Sequence, residues 1–165
     1  MTIKIGDRIP DATLTESTEF GEACPVAPSP VNVTEALKGK KVVIFGLPGA
    51  YTPTCSAKHV PGYLKSLDAL RAKKVDEVWC IAVNDGFVMA AWGKDQGAIG
   101  KIRMLGDGAA DFAKKLGLEV DIPNMGVRIK RHSMLVENGV VTQLNVEGPG
   151  KFEVSGADTM LVQLG

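Results

Sequence analysis

The run Lys41-Val-Val-Ile-Phe-Gly46 passes within a few residues into Pro48-Gly-Ala-Tyr-Thr-Pro-Thr-Cys55. Val42 to Phe45 is a short apolar stretch rich in β-branched residues, the pattern of a strand buried on both faces. Thr52 is a favoured N-cap type, and Pro53 at the first helical position gives up an N–H that has no intrahelical partner anyway. A buried strand that turns directly into a helix is half of an α/β unit, and it sets Cys55 in the first turn of that helix.

Backbone N–H groups without partners and the positive end of the helix dipole favour an anion at such a place. Free cysteine titrates near ~8.5, and helix N-termini or neighbouring cations lower this to roughly 3.5 to 7.5 in general. The competing reading is a small buried hydrophobe, the usual state of a lone cysteine. The Thr-Pro-x-Cys start after an apolar strand favours the reactive thiol.

Further along, Val78 to Val83 reads as a second buried strand and Phe87 to Lys94 as a helix; Ile102 to Leu105 is a third strand, and Ala109 to Leu116 a helix closed by Gly117. Pro61-Gly62 is expected to kink or break the helix that starts at Pro53, before Tyr63 to Lys73 resumes it. Asn138-Gly139 predicts a hairpin between Val127 to Glu137 and Val140 to Val146, with a last helix over Gly156 to Leu164. Residues 2–10 read as a leading strand. Residues 16–33 read as a surface loop holding Cys24, because three prolines in Cys24-Pro-Val-Ala-Pro-Ser-Pro30 cannot supply a central strand's donors. The whole predicts one domain over residues 1–165, an α/β fold with a central mixed β-sheet flanked by helices.

Composition closes off other classes. Nineteen basic and nineteen acidic residues cancel and no block of like charge stands out, so no nucleic-acid partner is expected. No stretch approaches the ~18 apolar residues of a membrane span, and Met1 to Pro10 lacks the apolar core of a signal peptide. Three cysteines with neither zinc half-site spacing nor a disulfide framework predict no metal and a reduced, cytoplasmic setting.

Strand alternation through the hairpin puts Val127, Ile129, Arg131, Ser133 and Leu135 on one face, and Arg128, Lys130, His132 and Met134 on the other. Arg131 interrupts the more apolar face, and a charge buried alone is costly, so an anion is expected beside it: a structural carboxylate or a functional group. His59 follows Cys55 by four residues and shares its helical face; it reads either as a group behind the site or as a surface histidine.

Pro48, Thr52 and Cys55 match the Pro-x-x-x-Thr-x-x-Cys pattern of peroxiredoxins, thiol peroxidases with a thioredoxin-like fold. Phe45 to Gly62 resembles the type II (peroxiredoxin five) subfamily, as do Ile81 to Phe87 with Trp92-Gly93, Gly100 to Arg103, and Lys130 to Met134. The resemblance implies reduction of hydrogen peroxide and alkyl hydroperoxides by a nucleophilic Cys55, with Pro48, Thr52 and Arg131 completing the site, and His59 and Arg128 near it. Thr52 is expected to offer its hydroxyl to thiolate and peroxide, or simply to cap the helix. No bound cofactor is implied; the co-substrate is a thiol reductant, either glutathione with glutaredoxin or thioredoxin. Cys80 aligns with the resolving cysteine of many type II members, yet its strand context also reads as an inert core residue, leaving an exposed sulfenic acid at Cys55 to an external thiol. Animal relatives resolve near the carboxyl end, where this chain has no cysteine. A homodimer is implied, with Phe87 to Trp92 in its interface. Two other readings stay open at this point: a peroxide sensor that passes oxidation to a partner, and a dithiol-disulfide oxidoreductase, although no Cys-x-x-Cys pair exists.

Overall fold

The computed structural model describes residues 1–165. Seven strands form one sheet in the order β2-β1-β5-β4-β3-β8-β9, with β1 Thr13–Glu16, β2 Ser29–Asn32, β3 Lys41–Gly46, β4 Glu77–Ala82, β5 Arg103–Gly106, β8 His132–Glu137 and β9 Val140–Val146. β3, β4 and β5 run parallel, while β1 and β8 flank them antiparallel, so the sheet is mixed as expected. A separate two-stranded ribbon pairs β6 Glu119–Ile122 with β7 Gly126–Ile129.

Alternation along the central strands divides the core in two. Val42 and Ile44 of β3, Trp79 and Ile81 of β4, and Met134 and Val136 of β8 pack on one face with α1 Val33–Leu37 and α5 Asp111–Leu116. Val43 and Phe45, Val78, Cys80 and Ala82, and Leu135 pack on the other, under α2 Val60–Lys65, α3 Leu67–Ala72, α4 Gly86–Gln96 and α6 Ala157–Leu164. Cys55 and Cys80 both belong to this second face. Turn chemistry sets the helix ends: Asp85 accepts the Val88 N–H at 2.9 Å to open α4, and Gly97 and Gly117 close α4 and α5 at φ 70° and 69°.

Four expectations need correction. Residues 2–10 form no strand: a turn at Lys4 to Asp7 with Gly6 at φ 95° interrupts them, and they hold to the sheet by single bonds such as Gly6 N–H to the Val141 carbonyl. Residues 16–33 are not one loop, because Ser29–Asn32 pairs with β1; Pro30 is tolerated there because β2 is the sheet's edge strand. The helix is not broken at Pro61. The chain widens into a π-helical turn over Cys55–His59, with Val60 N–H bonded to the Cys55 carbonyl, and the interruption comes at Ser66 instead. A wider turn ahead of Pro61 shifts the ladder where its missing N–H would have been needed. Finally, Val127 to Glu137 is not one strand but β7 and β8, separated at Lys130-Arg131.

That separation alters the phasing. Ile129 packs with Met134 and Val136, while Leu135 lies on the opposite face. The alternation slips at the break, so Val127 and Ile129 do not share a face with Leu135. Arg131 enters the site from the break just before β8, not from an uninterrupted ladder.

Candidate active site

β3 ends at Gly46, and the loop beyond it is pinned at several points before the chain enters the π turn. Arg128 donates from Nη1 to the Pro48 carbonyl at 3.1 Å and from Nε to the Met125 carbonyl at 3.1 Å. A Cβ on Gly49 would stand 2.7 Å from that same Nη1, so the close approach of Arg128 requires glycine. Asn84, just past β4, accepts the Ala50 N–H at 2.9 Å. Tyr51 sits at φ 61° and donates its hydroxyl to Asp95 at 2.6 Å. Trp92 of α4 donates to the Ser56 hydroxyl at 3.0 Å.

Cys55 opens the π turn with no exposed surface. Arg131 Nη2 lies 3.1 Å from its sulfur, and Nη1 lies 2.9 Å from Nδ1 of His59. His59 Nε2 lies 3.0 Å from the Ser155 carbonyl, which also accepts the Tyr63 hydroxyl at 2.9 Å. Burial, together with the Arg131 cation, pushes the pKa of His59 down to about 3, so the ring is neutral at physiological pH. Phe45 stacks on Tyr63 with centroids 4.2 Å apart and leans on His59, closing the site from below with apolar surface.

The expected residues thus divide. Cys55, Arg131 and His59 come together directly. His59 is a buried member of the cluster, not a surface histidine. Thr52 lies one turn before Cys55, but its hydroxyl donates to the Gly49 carbonyl at 2.7 Å and neither caps the helix nor bonds to the sulfur. Pro48 contributes its carbonyl as the anchor of Arg128, which does not reach Cys55. Cys80 sits in mid-strand between Phe45 and Met104, fully buried; burial first, and then the neighbouring Cys55, push its thiol well above the ordinary range, against a smaller opposing effect of Arg131. Cys24 is exposed in the segment ahead of β2. Trp92 is buried inside the chain, so it cannot belong to an interface, whereas Phe87 is exposed.

Sequence reasoning missed Asn84 and Ser155. Asn84 stands in the stretch Ile81 to Phe87 that resembles the subfamily, which was a usable signal; Ser155 acts through a main-chain carbonyl, and no residue-type pattern marks that.

A groove of about 520 Å³ opens beside this cluster between the β6–β7 ribbon and the 147–151 segment. Pro48, Thr54 and Arg131 line it together with Val120, Ile122 and Lys151.

A mixed sheet that brings a thiol at a helix start against an arginine and a neutral histidine is the arrangement of a thioredoxin-like thiol enzyme. A family model described as Redoxin matches residues 4–161. Peroxiredoxin-2B of Arabidopsis thaliana is 42% identical over 164 residues, covering 98% of this chain and 98% of that one. Among solved structures, reduced Prx3 of Vibrio vulnificus in complex with hydrogen peroxide shares 47% identity at a TM-score of 0.90, covering 99% of this chain and 100% of that one. A Burkholderia cenocepacia protein described provisionally as a thioredoxin reductase shares 50% identity at a TM-score of 0.93, covering 98% of both chains. The chain belongs to the redoxin family and, within it, to the type II peroxiredoxins, which are thiol-dependent peroxidases.

Proposed function

We propose that Cys55 is the nucleophile of this peroxidase and that Thr52, Pro48 and Arg131 complete its site. The observation that carries this reading is the 3.1 Å contact between Arg131 Nη2 and the Cys55 sulfur. A guanidinium only donates and stays charged, so the sulfur facing it acts as acceptor beside a permanent positive charge, and we take the species that attacks peroxide to be its thiolate. The thiolate forms an S–O bond to one peroxide oxygen as the O–O bond breaks. The departing oxygen gathers negative charge, takes a proton and leaves as water or an alcohol.

Thr52 has its hydroxyl proton directed at Gly49, so its lone pairs are what it offers a substrate. They accept the peroxide O–H and align the oxygen under attack. Arg131 then stabilises charge along the line of transfer. Hydrogen peroxide and alkyl hydroperoxides are the proposed substrates; the groove beside Pro48 and Arg131 supports room for an organic chain.

The sulfenic acid left on Cys55 returns to thiol at the expense of two thiol equivalents, with release of water. We assign these to glutathione with glutaredoxin, or to thioredoxin, in a reduced cytoplasmic setting consistent with three free cysteines. Because Cys55 has no exposed surface, its sulfenic acid is not open to a macromolecular reductant, and recycling requires a local opening of the π turn. A homodimer is part of the proposal, with the exposed Tyr51 and Phe87 as its apolar contacts; sedimentation as a monomer at micromolar concentration would contradict it. The direct test of the reaction is peroxide consumption with glutathione alone, with glutaredoxin added, and with thioredoxin and its reductase. Multiple turnovers in at least one system are expected, and oxidation that stops after one equivalent in all three would favour a sensor instead.

A further inference from the structure

Arg131 aims Nη2 at the sulfur because its other arm is held by His59. A guanidinium has no acceptor, so the 2.9 Å contact requires His59 Nδ1 to carry no proton. The Ser155 carbonyl, 3.0 Å from Nε2, can only accept, so Nε2 carries it. The opposite tautomer would set two donors face to face at Arg131 and two acceptors face to face at Ser155. The aim of the arginine therefore depends on where one main-chain carbonyl sits.

Ser155 lies between β9 and α6 in a segment with no ladder of its own to hold it. Glu147 does so. Its Oε2 accepts the Ser155 N–H at 2.8 Å, the Ser155 hydroxyl at 2.6 Å and the Val154 N–H at 2.8 Å, and the Glu153 N–H lies 2.9 Å from both oxygens. The Glu147 N–H in turn donates to the Arg131 carbonyl at 3.0 Å. Burial works against the charge of this carboxylate, but the Ser155 hydroxyl and the three backbone N–H groups outweigh it and hold its pKa below the ordinary range. One residue thus ties the main chain of Arg131 to the loop that orients His59.

We propose that Glu147 is a positioning residue for the Cys55 site: its carboxylate gathers residues 153–155 so that the Ser155 carbonyl fixes the Nε2–H tautomer of His59, which holds Arg131 against the sulfur. This rests on the roles assigned above to Cys55 and Arg131. A loop anchor with no part in the reaction would satisfy the same hydrogen bonds, and the two ideas differ in what they predict for Arg131.

Glu147→Gln keeps the size of the side chain but replaces one acceptor oxygen with an NH2 group facing the same donors. Stopped-flow oxidation of this variant is expected to be about tenfold slower, a misaligned donor costing less than the 100-fold or more of a lost one. In an Arg131→Met background the same substitution is expected to add nothing, because its effect passes through the arginine. Nitrogen chemical shifts of His59 are expected to report the Nε2–H tautomer in the wild type and a mixture in Glu147→Gln. Equal slowing in both backgrounds, or a native rate in the folded variant, overturns the proposal. So does a wild-type His59 that is protonated at Nδ1 at neutral pH, which decides the matter even if Glu147→Gln fails to fold. Failure of the underlying reading shows separately, as turnover by Cys55→Ser, with the histidine still readable.

Discussion

Arg131 and Cys55, 76 residues apart in the chain, meet with Nη2 3.1 Å from the sulfur. The contact joins the helix start after β3 to the residue just before β8; β3 and β8 are antiparallel neighbours with Gly46 opposite His132, which brings the two residues to the same end of the sheet. Arg131→Met retains an apolar stem but no donor, and it is expected to slow the first oxidation step roughly 100-fold or more, the scale of losing one transition-state donor. Stopped-flow oxidation at limiting protein checks this, and a near-native rate would show that the arginine is structural.

Thr52 is expected to act through its hydroxyl oxygen, since its proton is taken by Gly49. Thr52→Val removes both the Gly49 bond and the lone pairs and should slow oxidation by roughly 100-fold, whereas Thr52→Ser keeps the oxygen and should stay within about tenfold of the wild type. Equal rates for the two variants would remove the hydroxyl from the mechanism.

Two buried histidines make stability depend on pH. Burial, aided by Arg131, pushes His59 down to about 3, and burial pushes His132 down to about 4, against the ordinary histidine value of 6.5. In each case the folded value lies below the unfolded one, so the contribution is complete above the unfolded value and is lost as pH falls toward the folded one. Between about pH 6 and 5, each histidine should cost roughly 1.4 kcal/mol per pH unit. Urea unfolding across this range should show stability falling with pH, with a shallower slope in His132→Phe. A flat profile would mean that these rings are charged or exposed in the folded protein.

Much of the site was legible because its signals are local. The apolar strand Val42 to Phe45 and the Asn138-Gly139 turn each depend on a few adjacent residues and appear where the sequence puts them; the chain also turns helical at Pro53 as the Thr-Pro-x-Cys pattern asks, although the Thr52 side chain does not cap it. Arg131 was found for a partly wrong reason: the slip at Lys130-Arg131 separates Ile129 from Leu135, and only the short phase from Arg131 into β8 held. The π turn ahead of Pro61 and the pairing of β2 were not legible, since both depend on what the rest of the sheet tolerates. The same is true of the burial of Cys55 and of the carbonyl of Ser155, which are properties of packing and main chain that residue types do not encode.

Cys80 lies in the middle of β4, bonded to strands on both sides, with its thiol pushed well above the ordinary range. An external thiol needs only the local opening of the π turn, whereas Cys80 must also leave its place in the packed sheet to reach Cys55, so the external thiol should arrive first. Cys80→Ser is expected to keep most glutathione- or glutaredoxin-supported activity and to lose more of any thioredoxin-supported activity. Disulfide mapping of the wild type after one equivalent of peroxide, without added thiol, checks the premise. A prompt, quantitative bond between Cys55 and Cys80, with loss of glutathione-dependent turnover in Cys80→Ser, would make this an intramolecular two-cysteine enzyme.

If Cys55 performs the chemistry, steady-state peroxide consumption with excess reductant should be lost in Cys55→Ser. Serine fits the same buried position but is neither ionised at neutral pH nor comparably nucleophilic. No turnover above the reductant's own background is expected while Cys24 and Cys80 remain intact; sustained consumption at a substantial fraction of the wild-type rate would show that Cys55 is not the nucleophile.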